Sequence, residues 1–156
     1  MKHVSLATAL TFAAVTVMAA PLPDPSKLPP ASAQQGLTFE KDIQPIFKET
    51  CVHCHGEDRP KHGLRLDNLE GVLKGSKDRK VVVPGHSEQS SLVFAVSDID
   101  GKISMPPKPR PPRAHVEANG VTNTPPPMAP PQHPWKALTT EQVGLIRAWI
   151  DQGAKP

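Results

Sequence analysis

Five consecutive residues carry the densest chemistry in the chain: Cys51-Val52-His53-Cys54-His55. Two thiols three positions apart fall on one helical turn, and an imidazole follows the second directly. This C-x-x-C-H spacing is the attachment signature of a c-type haem. The sulfurs of Cys51 and Cys54 reach the two vinyl groups on one edge of the porphyrin and form thioethers, while His55 projects under the iron as proximal ligand. The cysteine count agrees, because these are both of the cysteines in the chain and none is left over. A zinc site would draw on Cys51, Cys54, His62 and His86, yet no second C-x-x-C or H-x-x-x-H completes it. A redox dithiol would need a strand before the motif in a βαβ context. The segment before Cys51 has helical spacing instead, so haem is the favoured reading.

A c-type iron has a sixth axial position whose occupant decides the function. A Met thioether raises the potential and closes the iron, whereas an open position permits peroxidase or gas-binding chemistry. Of the four methionines, Met1 and Met18 fall in an N-terminal apolar run, leaving Met105 and Met128. Met105 is followed by Pro106 and Pro107, which stiffen its loop and lower the entropic cost of holding the sulfur in place. Met128 lies within Pro-Pro-Pro-Met-Ala-Pro-Pro with no apolar neighbour to seat it. Met105 is the favoured ligand. His62, His86, His115 and His133 read as solvated surface residues.

These groups need helices to position them. Phe39, Ile43, Ile46 and Phe47 make one apolar face leading into Cys51, with Thr38 as cap, Glu40 and Asp42 in the first turn, and Pro45 imposing a kink or a late start. Near the C-terminus, Thr139 and Gln142 form a capping box and Leu138 and Val143 a staple. Val143, Ile146, Trp149 and Ile150 follow as an apolar stripe, with Arg147 and Asp151 outside it and Gly153 at a left-handed cap. Gly144 and Ala148 would let another helix approach closely, with a tolerated surface glycine as the equal alternative, and Trp149 reads as core rather than as a redox relay. Between these ends, Gly63 to Asp67 alternates like a short strand, Asn68 to Lys74 suits two helical turns, and Ser87 opens a short helix over 88–97.

The chain has 156 residues, one domain's worth, with 37% hydrophobic, 21% charged and 4% aromatic residues. Its 20 prolines set it apart. Residues 1–20 read as an export signal: Lys2 and His3, then an uncharged run from Val4 to Ala20 that is short for a membrane span, with an uncleaved membrane anchor as the alternative. Small-x-small cleavage sites end at Ala19 and at Ala33, and both stay open. Residues 21–37 read as a Pro-rich flexible spacer. Eleven of the 29 residues in 106–134 are proline, an exposed insertion unable to form helix or sheet interiors. The packed part is then 38–105 with 135–156, marginal in size without a bound group supplying apolar surface. Trimming residues 1–33 leaves a formal charge of +2. With no basic stripe interleaved with aromatics, nucleic acid is not an expected partner.

Taken together, Asp42-Ile43-Gln44-Pro45-Ile46-Phe47, the haem motif with Gly56, Gly63-Leu64-Arg65-Leu66-Asp67, Val82-Val83-Pro84-Gly85 with Ser91-Leu92, Met105-Pro106-Pro107 and the final Leu138–Ala154 segment resemble the class I cytochrome c superfamily, more narrowly the small planctomycete-type cytochrome c domains. The resemblance covers 38–156 except the insertion. It implies an all-α cytochrome c fold of three to five helices around one covalent haem c, in which the N- and C-terminal helices cross. It implies Cys51 and Cys54 as attachment sites, with His55 and Met105 as axial ligands. The 106–134 insertion departs from the pattern directly after Met105. The expected function is that of an exported, periplasmic monohaem electron carrier, soluble or peripheral to the membrane, serving a dehydrogenase or oxidase and not itself an enzyme. A haem enzyme with an open or displaceable sixth position is the alternative. Lys102, Lys108, Arg110 and Arg113 around the ligand loop form a candidate docking patch. Two haem carboxylates would bring the mature charge near zero, so long-range steering should be modest.

Overall fold

In the computed structural model, which describes residues 22–58, 60–99, 104–108, 115–116, 122–123 and 136–156, the core forms where apolar faces from the two ends of the chain meet. A π-helical turn, Phe39–Ile43, runs into α1 (Gln44–Thr50), followed by α2 (Val52–His55), α3 (Leu69–Lys74), α4 (Ser91–Ser97) and α5 (Thr140–Asp151). Short 3-10 turns lie at Pro25–Lys27, Lys61–Gly63 and Ser87–Gln89. The fold is all-α as expected, apart from an antiparallel pair of two-residue strands, β1 (His115–Val116) and β2 (Thr122–Asn123). That pair falls in 113–124, the proline-free middle of the insertion, where the backbone keeps its amide donors.

Pro45 sits in the first turn of α1, and after the Gln44 N–H bonds the Phe39 carbonyl it removes the next donor, so the π-helical turn ends there. Thr38 occupies the cap position without its hydroxyl capping the helix. The Asp42 carboxylate reaches back instead and accepts from the Thr38 N–H at 2.8 Å. In α5 the capping box is complete: the Thr139 hydroxyl accepts from the Gln142 N–H at 3.2 Å, and the Gln142 side chain accepts from the Thr139 N–H at 2.9 Å. Gly153 ends the helix with φ 97°. Trp149 is fully buried, its ring 5.8 Å from Phe39, and its indole N–H donates to the Lys155 carbonyl at 2.8 Å. This contact locks the N-terminal turn across α5, and Trp149 is a core residue.

Three expectations change. Of the alternating Gly63–Asp67 segment, Gly63 closes a 3-10 turn with φ 70°, and residues 64–66 that follow join no sheet. Leu64 and Leu66 are buried as alternation demands, while the Leu66 N–H donates to the His55 carbonyl at 2.7 Å. The segment's polar groups serve α2 rather than a partner strand. The helix expected over 88–97 is split, because Ser90 adopts an extended backbone and its hydroxyl accepts from the Val83 N–H at 2.9 Å. Asp151 holds the preceding turn, accepting from the Ser87 N–H at 2.8 Å and the Ser87 hydroxyl at 3.0 Å.

The third correction concerns residues 21–37. From Asp24 onward they form a strap lying along α5 rather than a flexible spacer. Leu28 is buried in the core. Arg147 donates to the Pro29 carbonyl, the Ser32 N–H donates to the Gly144 carbonyl at 2.9 Å, and Gln152 bonds both the Gly36 N–H and the Gln34 carbonyl at 2.8 Å. Gly144 admits this strap and not a second helix: a Cβ there would stand 2.9 Å from the Pro30 carbonyl oxygen. The leader expected at 1–20 lies outside the described residues, as does most of 106–134. Among the described residues no helix is long and apolar enough to cross a membrane.

Candidate functional site

The chain enters the site through α1. The Cys51 N–H donates to the Phe47 carbonyl at 2.8 Å, and the Cys51 carbonyl accepts from the Cys54 and His55 N–H groups at 3.1 and 2.9 Å. One helical turn thus holds both thiols and the imidazole in fixed relation. Both cysteines are free thiols, half-buried at the wall of a cavity of about 270 Å³. Burial, and next the neighbouring Cys54, pushes the Cys51 thiol up to about 12. A redox dithiol or a zinc thiolate needs the opposite shift. Among the described residues no group of three or more His, Cys, Asp or Glu gathers as a metal-binding cluster.

The His55 ring is oriented by the extended segment after it. Its Nδ1 lies 3.3 Å from the Leu64 carbonyl oxygen, which can only accept, so Nδ1 carries the proton and Nε2 keeps its lone pair. Burial is the main cause holding this imidazole below its ordinary range, with Lys61 and His62 adding to it and the Leu64 bond opposing. A neutral imidazole with one nitrogen tethered to a carbonyl is the form a metal ligand takes.

Met105 reaches the same cavity from the far side of the sequence. Its N–H donates to the Ala95 carbonyl at 2.8 Å at the end of α4, and its side chain joins Cys51, Cys54 and His55 in lining the cavity. It remains 41% exposed. Met128 lies outside the described residues. Leu64, Leu66, Val81, Leu92 and Val96 supply apolar walls. Lys61, His62, Ser76 and Arg79 add a polar border that sequence reasoning missed, because their spacing follows loop geometry and no helical or strand period. His62, read as a surface residue, is exposed but lines the cavity with φ 54°. His86 is exposed and bonds Glu88, while His133 lies outside the described residues.

The described lining contains no carboxylate. A cavity with apolar walls, three basic side chains on its border and no acid suits an apolar body carrying anionic groups, and haem with its two carboxylates is such a molecule. A helical fold with two thiols beside an oriented imidazole at one such cavity fits a c-type cytochrome. Residues 51–109 match the family model described as Planctomycete cytochrome C, which bears out over that segment the resemblance read from the sequence. No curated protein and no solved structure matches the chain.

Of the expected docking patch, Lys108 is engaged by Asp98 at 2.6 Å. Lys102, Arg110 and Arg113 lie outside the described residues.

Proposed function

We propose that the protein is an exported, periplasmic monohaem electron carrier with His55 and Met105 as axial ligands. The observation that carries this is the convergence of Cys51, Cys54, His55 and Met105 on one apolar, acid-free cavity. When bound, haem c supplies an iron that gains or loses one electron. The chain's own residues do the rest. Cys51 and Cys54 anchor by thioether bonds from one helical turn. The Leu64 carbonyl keeps the His55 proton on Nδ1, so the Nε2 lone pair would be available to hold the iron of a bound haem. Leu66, Leu92 and Val96 keep water from the site, which favours the less charged ferrous state. Lys61 and Arg79, on the border, suit the anionic groups.

A second reading rests on the exposure of Met105. A sulfur held on a half-open loop is easier to displace, which would open the sixth position to peroxide or a gas. Ferrous protein mixed with carbon monoxide separates the two. The carrier reading expects no rapid binding, and a fast shift of the Soret band would overturn it in favour of an open-iron enzyme. The haem itself is tested by acid–acetone extraction of protein made in a maturation-competent host: the colour should stay with the polypeptide.

A further inference from the structure

The backbone that carries Met105 is tied to the end of α4 at two points. The Met105 N–H donates at 2.8 Å to the Ala95 carbonyl, which lies in the last turn of the helix, where carbonyls have no partner within it. Three residues further on, the Lys108 ammonium pairs with the Asp98 carboxylate at 2.6 Å. Asp98 closes α4 in the left-handed conformation, with φ 49° and ψ 33°. Glycine commonly takes that position, and a carboxylate there stands beside the negative end of the helix dipole. Its Oδ1 is shut off from solvent and has no hydrogen-bond partner among the described residues. The carboxylate thus occupies an unfavourable place that Lys108 compensates. The Lys108 side chain is itself 63% exposed, so the charge pair and not burial holds it there.

Packing alone holds Met105 weakly, since the residue is 41% exposed. The place of its sulfur then depends on where the backbone is fastened. We propose that Asp98 and Lys108 form a latch that keeps the Met105 segment closed over the cavity; the proposal rests on the His55 and Met105 ligation above. They are positioning residues, because neither is among the described residues that line the cavity. With the latch closed, the chain from Asp98 to Lys108 is fastened at both ends and the sulfur has little room to wander. With it open, only the Ala95 bond remains of the two ties, and an added ligand finds the sixth position free more often. A partly exposed ion pair shifts such a balance by about threefold and not by orders of magnitude. Salt weakens the pair, so the closure is adjustable.

The first measurement is the near-infrared sulfur-to-iron band of the coloured ferric parent, whose absence would overturn the ligation reading and the latch's role with it. With the band present, ferric protein is titrated with imidazole at low ionic strength. Lys108→Gln and Asp98→Asn should each raise imidazole affinity about threefold. Asparagine tolerates the left-handed cap, so the second variant removes charge and keeps the backbone. The double variant should match either single one, because both substitutions break one pair. Lys108→Arg should restore the parent's affinity. Lys41→Gln makes the same change of charge on the turn Phe39–Ile43 and should leave the affinity unaltered. Additive effects of the two single variants, or an equal effect from Lys41→Gln, would overturn the latch while the ligation stands. Amide hydrogen exchange supplies a readout that needs no added ligand: the Met105 N–H should exchange about threefold faster in Lys108→Gln, with the amides of α5 unchanged. Equal acceleration in α5 would mean that the pair only stabilises the whole fold, and unchanged exchange at Met105 would mean that it fastens nothing.

Discussion

His55 shows how one backbone contact sets a side chain's chemistry. The Leu64 carbonyl fixes its tautomer by holding the proton on Nδ1, and burial favours the neutral ring, which leaves Nε2 with its lone pair. On the proposed ligation, Met105→Ala should abolish the near-infrared sulfur-to-iron charge-transfer band while Met128→Ala leaves it intact. The opposite pattern would reassign the ligand. That Cys51, Cys54 and His55 share one cavity wall was legible because they lie within five residues, and Met105, singled out for the prolines after it, lines the same cavity. Arg79 was not legible, since nothing in a run of loop residues announces which side chain faces a cavity. Asp67 permits a pH prediction. Hydrogen bonding from Arg65 lowers its carboxyl from 3.8 to about 2. The folded chain therefore favours the ionised form: the contribution is full above about pH 4 and is lost as pH falls through about 2. Acid titration of Asp67→Asn, followed by circular dichroism, should show a flatter stability profile across that window than the parent.

At the level of elements, the clear successes are those with a periodic signal. The stripe and capping box of α5 and the apolar face leading into α1 follow from period and cap chemistry. The 63–67 segment was read correctly as alternating and wrongly as a strand, because alternation reports which side is buried and not which backbone groups are paired. The strap was illegible for a related reason. Its hold on α5 comes from main-chain carbonyls and amides, two buried leucines (Leu28 and Leu37) and a missing side chain at Gly144, none of which repeats along the sequence. Leu28→Ala should cost about 2–3 kcal/mol in denaturant melts. Gly144→Ala gains roughly 1 kcal/mol of helix propensity but pushes a methyl against the Pro30 carbonyl, so a net loss of about 1–2 kcal/mol is expected. A Gly144→Ala protein more stable than the parent would mean the strap does not bind there.

Across the whole molecule, the apolar surfaces of both chain ends close on one another while the middle of the sequence builds the cavity. The Phe39–Trp149 contact ties the first helical turn to the last helix, and the Gly85 N–H bonds the Ile150 carbonyl at 2.7 Å to draw the central loops onto the same support. That plan was legible from the two amphipathic segments, and the proline content misled in making the 21–37 stretch look detached. The strap has a consequence for biogenesis. On the export reading, a leader peptidase acting after Ala33 would discard Leu28 and the anchors at Pro29 and Ser32, opening a furrow on α5 in the secreted form. A cut after Ala19 spares them all. Intact-mass measurement of secreted material should therefore find a polypeptide beginning at Ala20, and one beginning at Gln34 would show that the domain matures without its own belt.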